Sequence, residues 1–142
     1  MIKTKEQLYN YIVEKYNVSS INVFRSSNYC PEKLDLRDVI VPENFDTTRL
    51  FAFFNCKEID ISTWKITELK DSCFSNCFLL SNVKLPNKLK KIGKLCFNDC
   101  IHLYNINIPE SVIIIDDDAF GYTALSNIIL PDNLEKIGIR AF

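Results

Sequence analysis

The sequence predicts an α+β repeat fold, a short solenoid of right-handed coils built from short strands, with a helical cap at the N-terminus. Three observations predict it. A phenylalanine recurs at a nearly constant interval, an alternating apolar segment ending in proline follows each of the interior copies, and one amphipathic helix precedes the repeats. We assign residues 1–33 to the cap and its connection, and residues 34–142 to about four or five repeats, the last of them incomplete.

The phenylalanines set the period. Phe74, Phe97, Phe120 and Phe142 are separated by 23, 23 and 22 residues, and we assign the earlier copy to Phe53, which lies 21 residues before Phe74. One such unit cannot bury its apolar face alone, whereas stacked units bury it against each other. The rings are therefore expected to form one interior row.

Two apolar segments accompany each phenylalanine. The first alternates and ends in proline, at 83–86, 106–109 and 128–131, with weaker copies at 39–42 and 59–61. Alternation places Val83 and Leu85 on one face and Lys84 on the other, and proline ends the strand because it cannot donate to the ladder. The second segment is an apolar pair in each copy: Leu89 and Ile92, Val112 and Ile115, Leu134 and Ile137.

A turn is predicted between the second segment and the next phenylalanine. Gly93, Asp116 and Gly138 occupy this position, and Lys70 departs from it. Glycine adopts left-handed backbone conformations freely and aspartate tolerates them. A left-handed residue is therefore expected at the glycines and at Asp116.

The segments 103–109 (LYNINIP) and 134–142 (LEKIGIRAF) resemble a leucine-rich repeat of the BspA-like class, also called the Treponema-type repeat. The resemblance covers about residues 70–142 well and 34–69 loosely. It implies a solenoid fold. It also implies a surface adhesin or an interaction protein, since family members often have these roles.

Two C-x3-C pairs, Cys73 with Cys77 and Cys96 with Cys100, raise the question of a zinc site. A zinc site needs its ligands to converge at about 2.3 Å from the ion. The repeat places the first cysteines in a column with Ala52, Ala119 and Ala141, and the second in a column with Cys56 and Thr123; Cys30 stands outside both. We interpret the thiols as small buried apolar side chains, with no metal and no cofactor. A zinc-binding regulatory domain and a disulfide between Cys77 and Cys100 remain the alternatives.

Residues 4–17 predict the capping helix. Thr4 and Gln7 form a potential capping box, and Leu8, Tyr11, Ile12 and Lys15 share a face that Val13 and Tyr16 flank. The alternative is a docking helix whose Tyr9 and Tyr16 meet a partner.

Composition excludes several functions. The chain has three glycines, a net charge of −1 and no run of about 18 apolar residues, so we expect no phosphate-binding loop, no nucleic-acid partner and no membrane span. The N-terminus has no apolar signal region, which predicts a cytoplasmic protein, or a cell-surface one if the chain is an adhesin fragment. His102 has no nucleophile placed beside it by any motif, so we expect no enzyme.

Charges in successive repeats are expected to neutralise each other. Lys84, Lys88, Lys90, Lys91 and Lys94 form a basic cluster, and three acids follow one repeat later at 116–118. In register, Lys94 lies opposite Asp117, and Asp118 opposite Arg140. The alternative is a calcium site at 116–118. Consecutive side chains on a strand point to opposite faces, which is unfavourable for converging on one ion.

The predicted function is a non-catalytic protein–protein interaction module, with an adaptor or inhibitor that presents a rigid repeat surface as the first hypothesis. Several outward positions carry charged, amide or unexpectedly apolar side chains, and apolar patches rimmed by charge mark interaction sites. The candidate partner-binding residues are Lys84, Lys90, Lys91, Asn107, Ile113, Ile114 and Ile129. The sequence ends inside a repeat at Phe142, which predicts either a fragment of a longer repeat protein or an open end that pairs with a second copy.

Overall fold

The computed structural model describes residues 1–26 and 31–142. Within them, helix α1 (Lys5–Lys15) and a 3-10 helix (Ile21–Arg25) precede a series of short strands. The strands are β1 (Lys33–Asp35), β2 (Glu58–Asp60), β3 (Glu68–Leu69), β4 (Asn82–Lys84), β5 (Lys91–Ile92), β6 (Ile114–Ile115) and β7 (Lys136–Ile137). A β-solenoid with an N-terminal helix is confirmed.

Two parallel sheets form the long faces of the solenoid. The first sheet has the order β1-β2-β4 and the second the order β3-β5-β6-β7. Equivalent residues of successive coils lie beside each other, as Ile59 does beside Val83 and Ile92 beside Ile115. The side chains of these four residues are buried, so both sheets contribute to one core.

A third hydrogen-bonded ladder runs along the corner of the coils, at residues 49–53, 72–76, 95–99 and 118–122. The amide of Phe74 donates to the carbonyl of Cys96 at 2.8 Å, and the amide of Phe97 donates to that of Ala119 at 2.7 Å. Ladders of this kind hold the coils at a fixed spacing.

The phenylalanine rings stack along this corner in one interior row. Their centroids are 5.2, 5.0, 5.1 and 5.3 Å apart along the series Phe51, Phe74, Phe97, Phe120 and Phe142. The first member is Phe51, and the assignment to Phe53 is wrong. Phe53 is 47% exposed and lies outside the row.

The expected left-handed turns are also misplaced. Neither the glycines nor Asp116 has a positive φ. In the coils, the left-handed residues lie two and six positions after the one at which the turn is predicted. They are Arg49, Ser72, Leu95, Asp118 and Arg140, and then Phe53, Asn76, Asp99 and Tyr122. Glycine is needed instead because the backbones of two coils approach closely here. A Cβ on Gly93 would lie 2.8 Å from the carbonyl oxygen of Leu69 in the preceding coil.

The strand predictions for the first face are only partly correct. Residues 39–41 form no strand, and the first coil contributes β1 instead. Residues 106–108 and 128–130 keep the proline-terminated sequence pattern but are not strands. Within the described part of the chain, no backbone hydrogen bond joins residues 105–107 to β4, so the first sheet ends there. The second sheet continues to β7.

Helix α1 covers the first coil, as a cap would. The capping box of Thr4 and Gln7 is present, and Leu8 and Ile12 are fully buried. The hydroxyl of Tyr9 donates to the carbonyl of Leu50 at 2.6 Å, and that of Tyr16 accepts from the amide of Asp35 at 2.8 Å. Both tyrosines of the docking alternative are therefore turned toward the repeats.

The aromatic row is continued into the cap. Phe24, in the 3-10 helix, is fully buried and stacks on Phe54 with centroids 5.5 Å apart. Phe54 in turn contacts Phe51 edge-on at 5.6 Å. The cap and the coils therefore share one continuous core.

Candidate functional site

A groove of about 600 Å³ opens on the first face, where the sheet ends. One wall is β4 with Lys84 and Asn82, and the other is the following coil with Asn105, Asn107 and Glu110. Buried Val83 and Ile106 anchor the two walls in the core. The groove is thus a surface depression between two adjacent coils, held by their apolar interiors.

Side-chain amides dominate the groove. Asn82, Asn87, Asn105 and Asn107 all line it. Asn82 lies opposite Glu58 in the register of the neighbouring strand. Among the described residues, the carboxamides of the other three make no hydrogen bond to the protein, so their donors and acceptors face solvent.

The charges beside the groove are paired. Asp60, whose side chain is 1% exposed, lies 3.7 Å from the Nζ of Lys33 and 3.9 Å from that of Lys84. Lys84 also lies 3.6 Å from Glu58. A hydrogen bond from Lys33 is the main reason that the pKa of Glu58 lies below its usual value. Lys84 is therefore largely neutralised by acids of the preceding coil.

The structure divides the predicted partner-binding residues between two faces. Lys84 and Asn107 line the groove, and Ile129 occupies the equivalent outward position one coil later, where it is 85% exposed. Lys90, Lys91, Ile113 and Ile114 lie on the second face. These seven residues do not form one continuous patch.

Residues on the second face serve mainly to join coils. Lys91 lies 3.4 Å from Glu68 and 3.5 Å from Asp116. The carbonyl of Lys90 accepts the amides of Ile113 and Ile114, and both isoleucines are half-buried. This face therefore offers a partner less free surface than the groove does.

The acids at 116–118 each have a basic partner, and two of these ion pairs are the ones that the register predicts. Asp117 pairs with Lys94 at 3.4 Å and Asp118 with Arg140 at 3.0 Å. Asp116 lies between Lys91 and Lys136. The amide of Asp117, followed by these two lysines, holds the pKa of the Asp116 carboxyl below its ordinary value.

The thiols lie in the core, where Cys77 neighbours Cys100 of the next coil and Cys73 neighbours Cys96. The thiol of Cys77 donates to the carbonyl of Phe51 at 3.0 Å, and that of Cys100 donates to the carbonyl of Phe74 at 3.1 Å. Burial raises the pKa of Cys77 and of Cys96, which keeps both protonated. Within residues 1–26 and 31–142, no group of three or more potential ligands is placed to hold a metal ion. Cys30 lies outside the described residues.

The thiol columns differ from the predicted ones in the first coil. Because Phe51 occupies the aromatic row, the place of Cys73 is taken by Leu50 rather than by Ala52. By the same register Phe54, not Cys56, takes the place of Cys77. The columns in the later coils are as predicted.

An apolar patch beside the groove was missed by the sequence reasoning. Phe78 and Leu79 are 41% and 42% exposed, and Ile101 and Tyr104 of the next coil are 48% and 57% exposed. His102 lies between them, with its Nδ1 2.6 Å from the carbonyl oxygen of Phe78. The sequence did contain a signal for this patch. Phe78 and Leu79, which follow Cys77, are apolar at positions that the repeat does not assign to the core.

In a second groove, on the corner side, the charged side chains and the asparagine are already paired. It is lined by Asn98, Asp118, Tyr122 and Arg140. Arg140 is bound by Asp118, and the amide of Asn98 donates to Asp99 at 2.6 Å. The groove beside β4 is therefore the better candidate site.

A family model described as a BspA type leucine rich repeat region, in six copies, matches residues 25–142. The chain belongs to this family. No curated protein and no solved structure matches the chain significantly.

Membership in the BspA-type family indicates a repeat module for protein interaction or adhesion. Leucine-rich repeats of this kind are generally non-catalytic, and proteins that carry them are often found at the cell surface. Among the described residues, no helix is both long and apolar enough to cross a membrane.

Proposed function

We propose that this BspA-type repeat chain is a non-catalytic protein-binding module, an adaptor or inhibitor that binds its partner through the first face. Residues 34–142 supply the binding coils and residues 1–33 the cap. The observation that carries the proposal is the groove beside β4, whose walls bear unpaired amides, together with the exposed apolar patch at its side.

The composition of this surface fits a protein partner. Interfaces combine aromatic and aliphatic contacts with polar groups that form hydrogen bonds across the boundary. Here Phe78, Ile101 and Tyr104 supply exposed apolar area, and Ile129 extends it one coil further. The groove supplies the polar groups.

Capture with matched variants tests this function. Ile129→Lys and Tyr104→Lys should each weaken capture of a partner by the immobilised protein, while the melting temperature stays nearly unchanged because both side chains are mostly exposed. Ile40→Lys is the control, since Ile40 is 66% exposed but belongs to the first coil, away from the groove. Equal capture by all variants would exclude the first face.

Family membership also supports adhesion as a second candidate function. An adhesin presents the same repeat surface to a host or neighbouring cell. Antibody labelling of intact cells separates the two candidates: labelling of unpermeabilised cells favours adhesion, and labelling only after permeabilisation excludes it.

A further inference from the structure

We propose that the groove beside β4 binds an extended segment of a partner polypeptide, and that it does so chiefly through the partner's main chain. This inference rests on the proposed protein-binding function and names the ligand chemistry of that site.

The spacing of the asparagines matches an extended peptide. Asn105 and Asn107 are exposed on either side of buried Ile106. On an extended chain, side chains two residues apart point the same way and lie about 6.6 Å apart. The main-chain N–H and C=O groups along one edge of an extended peptide recur at the same two-residue interval. A carboxamide supplies both donors and an acceptor, so it complements either group.

Strand β4 provides a second set of partners. It pairs with β2 on one side, and on the other side its ladder does not continue to residues 105–107 within the described chain. The next coil lies beside this edge, so a ligand meets the unpaired main-chain groups of β4 from the open side of the groove and not as a strand inserted between the coils. The backbone groups of one wall and the carboxamides of the other can therefore both form hydrogen bonds with the main chain of a peptide.

The remaining chemistry of the groove narrows the ligand class. Its charged lining residues are one lysine and one glutamate, Lys84 and Glu110, and Lys84 is paired with Glu58. This balance gives no preference for a phosphorylated or strongly charged ligand. No aromatic ring is among the described residues that line the groove itself, so sugar rings would find no flat apolar surface inside it; Phe78 and Tyr104 lie in the patch at its side.

A displayed library of random twelve-residue peptides, panned on the folded protein, supplies the probe. For a selected peptide, the dissociation constant is then measured by fluorescence anisotropy with the wild-type protein and with Asn105→Ala/Asn107→Ala. Loss of two or more hydrogen bonds should weaken binding about tenfold or more. Asn127→Ala is the matched control, because Asn127 is an exposed asparagine at the same repeat position one coil later, outside the groove.

N-methylation of the peptide tests main-chain recognition directly. Replacing a central backbone N–H by N–CH3 removes a donor without changing a side chain, and should weaken binding by a similar factor. Failure to enrich any peptide, equal affinity of the double variant, or retention of neutral oligosaccharides in place of peptides would each overturn the proposal. One outcome separates this inference from the proposed function. If capture of a partner depends on Ile129 but not on Asn105 and Asn107, main-chain peptide recognition by the groove is excluded while the protein-binding function is retained.

Discussion

The rings of Phe97 and Phe120 stack with centroids 5.1 Å apart and planes within 3° of parallel. They lie one coil apart, and the amide of Phe97 donates to the carbonyl of the residue before Phe120. Ring stacking and backbone pairing therefore enforce the same register. Each of these coils is aligned on the next by two independent kinds of contact at the same corner.

The identity of the first ring in the row can be tested with two neighbouring phenylalanines. Phe51→Ala removes a fully buried ring and should cost about 3–5 kcal/mol of unfolding free energy. Phe53→Ala, at a half-exposed position, should change it by no more than about 0.5 kcal/mol. Chemical denaturation measures both. Similar costs for the two variants would contradict the observed register.

Gly93 is needed because its backbone lies close to the preceding coil, not because it adopts a left-handed conformation. Gly93→Ala should destabilise the protein by about 1–3 kcal/mol, because the new Cβ would press on the backbone of the preceding coil. Arg49→Gly is the complementary change, since Arg49 is an exposed residue with φ of 53°. Glycine relieves about 1 kcal/mol of strain there, so stability should be unchanged or higher. Thermal unfolding of both variants provides the comparison, and a harmless Gly93→Ala would refute close approach.

Helix α1 should behave as part of the folded core. Leu8→Ala should cost about 2–5 kcal/mol, since Leu8 is fully buried against the first coil. Tyr9→Phe removes the hydrogen bond to Leu50 and should cost about 0.5–1.5 kcal/mol. Asn10→Ala is the control on the exposed side of the helix. If α1 were an independent docking element, unfolding measured in urea would be insensitive to all three changes.

Acid should weaken the link between the last coils. The pKa of Asp116 is lower in the folded protein than in the unfolded chain, so its contribution is fully present above the unfolded value of about 3.9 and is lost as the pH falls through the folded value. The melting temperature should therefore fall below about pH 4, and less steeply for Asp116→Asn. The control is Asp132→Asn, which changes an exposed carboxylate. An identical pH profile for Asp116→Asn and the wild type would show that the carboxylate contributes nothing.

The buried thiols should be chemically inert in the native state. With Cys30→Ser as background, the five cysteines of the described chain should fail to react with an aromatic disulfide reagent at pH 7 and should all react after denaturation. Fast reaction of one or more in the native protein would place a thiol at the surface. Zinc added to the native protein should not change the outcome.

Sequence reasoning succeeds where a position is set by the repeat itself. The Phe74, Phe97 and Phe120 row, the alanine-or-cysteine column before it and the inter-coil ion pair of Asp118 with Arg140 all follow from counting residues. Each of these features depends on equivalent residues of successive coils lying above one another at a constant interval along the sequence. The physical cause is that parallel coils give every copy the same neighbours.

The same reasoning fails where a coil departs from that interval. Ala52 and Phe53 imitate the alanine–phenylalanine pair of the later coils, whereas the true pair is Leu50 and Phe51. Leu50 is a larger side chain than the alanine or cysteine of the later coils, and it is fully buried where the first coil meets Tyr9 of helix α1. The groove could not be predicted from the sequence for another reason. Residues 105–107 and β4 have the same alternating pattern, so the sequence does not show whether their backbones pair; that depends on the three-dimensional spacing of the coils.

The end of the first sheet at β4, while the second sheet continues to β7, has a consequence for substitutions. Exchanges on the outer surface of 105–107 and 127–129 disturb no strand pairing, and the corner and the opposite side keep the later coils aligned. Side chains at these outward positions can therefore be exchanged with little penalty to folding.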